Sequence, residues 1–285
     1  MDELIAELRQ RQAASLELGG ASRVERQHNQ GKLTARERIA LLFDDGSFEE
    51  LGQLATHVYT PVTTIPNKHT PADGVVTGFG KIEGRQAAVV AEDFTILGGS
   101  LGINNFIKKT RMIELAQRDK LPIVWLFDGA GARTDEFIGE GLAPMHHFMD
   151  IAKLSGVTPQ IAGVLGPCAG DSSLLPAMME FIVMVEGTAM LAAGGPPLVK
   201  MGTGEDVTKE ELGGTDLHCR ISGVADNRAV DDADAIRQIR RYLSYMPTNT
   251  YEYPPYVEPE DSPDRRDEDL AGILPENKRR PYDMM

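Results

Sequence analysis

Asp128-Gly-Ala-Gly-Ala-Arg133 and Gly166-Pro-Cys-Ala-Gly-Asp-Ser-Ser173 are the two stretches on which the reading of this chain turns. Each follows a short apolar run, Leu121 to Phe127 and Gln160 to Leu165, that reads as a buried strand. Each leads toward a segment of helical pattern. Glycine allows a tight turn without Cβ clashes, so both turns can present backbone N–H groups that no helix bond consumes. Two such donor sets, if they converge, can hold a negatively charged oxygen, which enzymes forming thioester enolates or tetrahedral adducts require. The pattern points to chemistry rather than scaffolding.

Working outward, helix-like and strand-like stretches alternate. Val75 to Ile82 and Ala87 to Val90 are β-rich and flank Glu83-Gly84, which predicts a hairpin. Ile103 to Arg118 is helical in pattern, as are Gly139 to Leu154, Ser172 to Met179 and Asp232 to Tyr245; Phe181 to Val185 is a strand. This alternation predicts an α/β fold with buried strands. The first 45 residues read as helices, with Gly19-Gly20 as a stop and Thr34-Ala-Arg-Glu37 as a capping box, and form an arm that packs on the body or on a second subunit. Residues 246 to 285 carry many prolines among mixed charges and read as an extended connector.

Composition narrows the function. The chain has 285 residues, 41% hydrophobic and 25% charged, as expected of an ordinary globular protein. Its net charge of −14 disfavours nucleic acid and anionic membrane, so a polyanionic ligand must find local cations. The acidic start Met1-Asp-Glu-Leu has no signal character and no apolar run is long enough to span a bilayer, so a cytoplasmic location is expected. Two cysteines without C-x-x-C spacing fit a reducing compartment and give no zinc site, and the six histidines show no metal-binding spacing; no metal is expected.

Neither glycine turn is a dinucleotide fingerprint or a Walker A loop. Cys168 reads as a small buried residue rather than a nucleophile, since no histidine lies near it in sequence. Ser172 and Ser173 lack the G-x-S-x-G elbow and read as caps. Asp93-Phe-Thr-Ile-Leu-Gly-Gly-Ser-Leu-Gly102 forms a third glycine turn before a helix, with Lys108 and Lys109 about two turns on, and is a third candidate anion-facing helix start.

With these blocks in view, the chain resembles the carboxyltransferase (β) subunits of biotin-dependent acyl-CoA carboxylases, the propionyl-CoA and methylcrotonyl-CoA carboxylase family. The resemblance is carried by Gly31-Lys-Leu-Thr-Ala-Arg-Glu-Arg-Ile39, Asp73-Gly-Val-Val-Thr-Gly78, Glu92-Asp-Phe-Thr95, Gly98-Gly-Ser-Leu-Gly102, Gly131-Ala-Arg133 and Gly166-Pro-Cys-Ala-Gly170. It continues through Met184-Val-Glu-Gly187, Gly204-Glu-Asp-Val-Thr208, Glu211-Leu-Gly-Gly214, Ser222-Gly-Val-Ala225 and Arg241-Tyr-Leu-Ser-Tyr245.

The resemblance implies a crotonase-like fold of repeated ββα units: a helical arm over 1–45, an acyl-CoA-binding domain over 46–250, and a Pro-rich connector over 251–285. It implies transfer of a carboxyl group from carboxybiotin, on a separate carrier protein or domain, to the α-carbon of an acyl-CoA. The thioester enolate would be held by backbone N–H groups of Gly131, Ala132, Gly170 and Asp171. Lys32, Arg36, Lys108 and Arg133 are the candidate cations for CoA phosphates. Family chains continue after a Pro-Tyr-Asp like that at 281–283 into a second domain that holds biotin, so this chain is expected to carry one half of a site completed by a C-terminal half. A biotin carboxylase/biotin carrier subunit and a homo-oligomer are the further expected partners.

Two details depart from the family pattern: Asp171 stands where a second glycine is common, and Gly-Ala-Gly-Ala-Arg replaces the commoner Gly-Gly-Ala-Arg. A carboxylate aimed at the thioester would repel an enolate. The readings outside carboxyl transfer are a non-catalytic acyl-CoA-binding or assembly module, and a crotonase-like decarboxylase or hydratase. Hydration would call on Glu136, Glu140 or Asp171.

Overall fold

Strand β4 (Ile123–Gly129) shows how the chain is layered. Its seven residues are all buried, with Val124 and Leu126 in one apolar cluster and Ile123, Trp125 and Phe127 in another. Successive side chains of a strand point to opposite faces, so a strand buried throughout must be covered on both. In the computed structural model, which describes residues 1–59, 70–137 and 147–282, both faces are covered by helices. The side chains of Thr134, Phe137 and Asp171 also lie outside the description.

The chain opens with α1 (Asp2–Leu16), α2 (Ala21–Asn29) and α3 (Ala35–Leu42). Then come β1 (Glu49–Leu51), β2 (Val75–Ile82), β3 (Arg85–Glu92), α4 (Ile103–Asp119), β4, α5 (Thr134–Phe137) and α6 (Phe148–Leu154). β5 (Gln160–Ala169), β6 (Phe181–Val185), β7 (Met190–Ala192), α7 (Pro196–Thr203), α8 (Lys209–Gly213), β8 (Asn227–Ala229), α9 (Asp232–Tyr245) and α10 (Leu270–Ile273) follow. Among the described residues the strands form one eight-stranded sheet of order β1-β2-β3-β4-β5-β6-β8, with β7 pairing off the path with the end of β5. β1-β2-β3 run antiparallel and the rest parallel.

One face packs on α3 and α9 through Ile39, Leu42, Phe43, Ile236 and Ile239, and the other on α4 and α6 through Met112, Ile113, Ile151 and Leu154. Met1–Pro254 is one compact unit; Pro255–Met285 is a second, small unit with one short helix among its described residues. Among the described residues no helix is long and apolar enough to cross a membrane.

Several local expectations hold at the residue level. Thr34 and Glu37 make both bonds of a capping box at the start of α3, and Glu83 and Gly84 take the positive φ angles, 51° and 79°, of a tight hairpin turn. Two expectations are corrected. Gly166–Ala169 is strand rather than turn, because β7 supplies a ladder partner as far as Ala169. The segment from Ser172 to Met179 is two 3-10 turns, Gly170–Leu174 and Pro176–Met178, since Pro176 lacks the N–H that a continuous helix needs. Of the helix expected over Gly139 to Leu154, Phe148–Leu154 is helical, and residues 138–146, including Glu140, lie outside the described residues.

Candidate active site

The two glycine turns leave the same end of the sheet, beyond the carboxyl ends of parallel neighbours β4 and β5, where open α/β sheets bind ligands. Gly131 takes φ 91° and Gly170 φ 69°, left-handed values that favour glycine. The turns converge: a Cβ built on Gly131 would lie 3.5 Å from the carbonyl oxygen of Ala169.

Strand geometry sets the direction of the donors. Leu101 forms a parallel bridge with Ala132, its N–H bonding to Gly131 O and its carbonyl accepting from Arg133 N, both at 2.8 Å. Backbone groups of successive residues in an extended segment point to opposite sides, so the N–H of Ala132 itself points away from Leu101. Among the described residues the N–H groups of Gly131 and Ala132 have no hydrogen-bond acceptor. Gly170 opens its 3-10 turn, ahead of any bond within it. Ala132 is exposed and Gly131 and Gly170 are half-buried, so the donors border solvent. The 3-10 turn after Gly170 is five residues long, so on that side turn geometry rather than a long helix presents the amides.

The candidate cations are placed differently from expectation. Lys32 is buried, with Nζ 2.6 Å from Asp128 Oδ1. Arg36 forks onto Glu50 at 2.8 and 3.1 Å. Lys108 is buried and donates to the carbonyls of Ala72 (2.9 Å) and Val75; burial pulls its pKa down to about 8. Arg133 bonds Asp73, Glu136 (3.0 Å) and Ser100 (2.9 Å). All four are engaged with internal partners, and the structure does not gather them on one anion-facing surface.

The third glycine turn is corrected as an anion-facing helix start. At the N-terminus of α4, Ile103 N donates to Glu136 Oε2 (2.9 Å) and Asn105 N to Asp73 Oδ2 (2.7 Å), so the protein's own carboxylates fill it. Glu136 is thereby fully buried and committed rather than aimed at a substrate. Asp171 has its backbone in the 3-10 turn, while its side chain lies outside the described residues.

Sequence reasoning passed over Arg23 and Arg26. On α2 they line a cavity of about 270 Å³ with Gln27, Phe94, Thr95 and Gly98. Gly98 O accepts from Ala130 N at 2.9 Å, so the cavity wall runs directly into the first turn. Both arginines are exposed; Arg23 reaches Thr95 O at 3.3 Å. Their spacing of three along a helix was the available signal, hidden in an arm of mixed charges.

Cys168 is fully buried, its Sγ 3.4 Å from Ser172 O, and burial raises its pKa well above the ordinary value, as suits a packing residue. Among the described residues no cluster of three or more His, Cys, Asp or Glu side chains forms a metal-binding group.

Residues 26–285 match the family model of the carboxyl transferase domain. The chain belongs to the carboxyl transferase domain family. It is 44% identical over 266 residues to the methylmalonyl-CoA decarboxylase subunit alpha of Veillonella parvula, covering 93% of this chain and 52% of that one. It is 41% identical to the propionyl-CoA carboxylase carboxyltransferase subunit of Haloferax mediterranei, covering 100% of this chain and 55% of the relative. Among solved structures, transcarboxylase 12S with hydrolysed methylmalonyl-CoA bound, described as a hexamer, superposes with a TM-score of 0.88 at 38% identity, covering 99% of this chain and 55% of that one. The geranyl-CoA carboxylase beta subunit of P. aeruginosa superposes with a TM-score of 0.75 at 29% identity, covering 98% and 51%. The carboxyl transferase domain has the crotonase-like fold expected from its sequence, and it spans about half the length of the curated relatives it matches.

Proposed function

We propose that this chain is the acyl-CoA-binding half of a biotin-dependent carboxyltransferase. The observation that carries the reading is the convergence of the Gly131 and Gly170 turns beyond the sheet, with the N–H groups of Gly131 and Ala132 unpaired among the described residues. Donors held rigid before the reaction stabilise charge as it develops on a thioester oxygen more than they stabilise the neutral carbonyl, and this difference lowers the barrier. The N–H groups of Gly131 and Ala132 on one side, and of Gly170 and Asp171 on the other, are assigned to the enolate oxygen. Arg23 and Arg26 are assigned to the CoA phosphates, beside the first turn. Lys32 and Arg133 act from beneath, through Asp128 and through Ser100, Asp73 and Glu136, while Arg36 and Lys108 brace β1 and the 70–75 segment.

Carboxybiotin, on its separate carrier, supplies the carboxyl group. Removing a carboxyl from methylmalonyl-CoA and adding one to propionyl-CoA pass through the same enolate, so relatives named for either reaction fit one donor set. The partners in this reading are a biotin carboxylase/biotin carrier subunit and a C-terminal carboxyltransferase half, assembled in a homo-oligomer in the cytoplasm. The domain limits of 46–250 for acyl-CoA binding and 251–285 for a connector belong to the same proposal.

The test combines this chain, a C-terminal half, carboxylated carrier and propionyl-CoA, with methylmalonyl-CoA formation as the readout. Transfer that falls at least tenfold in Arg23→Ala/Arg26→Ala through KM, with kcat kept, supports the assignment. A folded, assembled mixture that transfers nothing rejects it.

A further inference from the structure

The pairing of β4 with β5 changes register at its carboxyl end. Phe127 lies opposite Val164, an offset of 37 (164 − 127), and Gly129 lies opposite Cys168, an offset of 39 (168 − 129). β5 therefore carries two extra residues opposite Asp128. Continued past the strand ends, an offset of 39 sets Gly131 level with Gly170, whereas 37 would set it level with Cys168. The two-residue shift is what brings the two turns together.

The apolar pattern does not enforce this shift. Side chains alternate with period two, so a slip by two residues returns each of them to its own face and leaves the core pattern unchanged. Something specific must hold the longer path of β5. At the shift lies a buried ion pair between Asp128 Oδ1 and Lys32 Nζ, 2.6 Å apart. It presses on the extra residues: a Cβ on Gly166 would collide with Asp128 Oδ1 and lie 2.9 Å from Lys32 Nζ.

Asp128 is fixed from the arm by further bonds. Gln27 Nε2 and Arg38 Nη1 each donate to its Oδ2 at 2.9 Å, and Arg38 Nε continues to Asp232 Oδ2 on α9 at 2.7 Å. From the other side, Asp128 N donates to Glu92 Oε2 at 3.0 Å, and Glu92 accepts from Lys109 at 2.6 Å. Every ionised partner in this chain is buried. Asp128 is thus tied by its carboxylate to the arm and, through Arg38, to α9, and by its backbone amide to Glu92 of β3, which Lys109 of α4 holds in turn.

We propose that Lys32, delivered by the loop between α2 and α3, is a positioning residue that locks the β4–β5 register through Asp128 and so sets the spacing of the Gly131 and Gly170 amides. This deepens the proposed function, since the amides matter because of the thioester assigned to them. The arm is then part of the site's geometry as well as its packing.

Glycine-selective 15N labelling reads the register without any ligand. In Lys32→Met the Gly131 and Gly170 amide resonances should move together, although they follow different strands, while Gly84 and Gly156 at the opposite end of the sheet stay put. Lys32→Arg should restore most of the wild-type positions. If Lys32→Met does not fold, Gly166→Ala displaces the same carboxylate from β5 and should move the same two resonances. Unmoved Gly131 and Gly170 resonances in either folded variant overturn the proposal.

A second measurement separates it from the reading on which it rests. The 13C=O stretch of bound propionyl-CoA should shift to lower frequency in the wild type and lose that shift in the variant. A wild type that binds propionyl-CoA without any shift removes the thioester assignment, while the glycine resonances still decide the role of Lys32.

Discussion

At the residue scale, Lys108 shows how burial tunes a charge without making it catalytic. Its ammonium sits under the 70–74 turn, where Ala72 and Asp73 take left-handed φ angles of 54° and 52° and turn the carbonyl of Ala72 toward it. Burial lowers its pKa to about 8, while Glu50 and Asp73 oppose the shift and Arg36 adds to it. An unfolded lysine keeps its proton to about pH 10.4. Between these values the unfolded chain binds more protons, so the Lys108 contribution to stability rises with pH through this window. Denaturant melts of wild type and Lys108→Met at pH 7, 8, 9 and 10 should give a difference that moves in favour of the wild type by up to about 1.4 kcal/mol per pH unit above pH 8. A flat difference would show that Lys108 titrates as an ordinary surface lysine. Cys168 gives a second expectation. Buried with a raised pKa, it should resist iodoacetamide until the protein unfolds, while the half-buried Cys219 is modified first; mass spectrometry of the labelled native protein checks the order.

At the element scale, one ring ties the end of α3 to β2. Phe43 ends the helix, stacks on Phe48 with centroids 5.7 Å apart and covers Gly80 on β2, where any Cβ would collide with the ring. Phe43→Ala should destabilise by about 3–5 kcal/mol, and equilibrium unfolding in urea measures it. Elements such as this were legible in the sequence because their signals are local. The capping box at Thr34, the hairpin at Glu83-Gly84, β6 and α9 follow from spacing and composition alone. What could not be read depends on partners remote in sequence. β5 extends to Ala169 because β7 meets it, and the start of α4 is filled by Asp73 and Glu136 from either side in sequence. The same limit applied to the site. The glycine turns are visible as turns, whereas nothing local shows that Asp128, Glu50, Asp73 and Glu136 bind three of the four cations expected at the phosphates and backbone carbonyls the fourth.

At the scale of the whole molecule, the arm divides into two parts of unequal weight. α1 is exposed along nearly its full length, with Leu4, Ile5 and Leu8 open to solvent and Ser15 its one buried residue. α2, α3 and the loop between them instead send Gln27, Arg38 and Lys32 into the interior. Removing residues 2–14 should therefore cost less than about 1 kcal/mol and leave the Gly131 and Gly170 amides in place. Extending the deletion through residue 38 should abolish cooperative unfolding, because Asp128 and Asp232 would be left buried without their cations. Calorimetry on the two truncations distinguishes the cases.

The bridge between Leu101 and Ala132 gives the loop before α4 a counting role. Because amide direction alternates along an extended segment, which of two neighbouring amides faces outward depends on whether the bridge sits at an odd or an even step. Gly98 and Gly99 turn with left-handed φ angles of 65° and 62°, so the length of this turn decides whether Leu101 arrives opposite Ala132 at all. Deleting one residue between Gly98 and Leu101 should break the bridge and take away the bond that fixes the outward direction of the Ala132 amide, although the loop contributes no donor of its own.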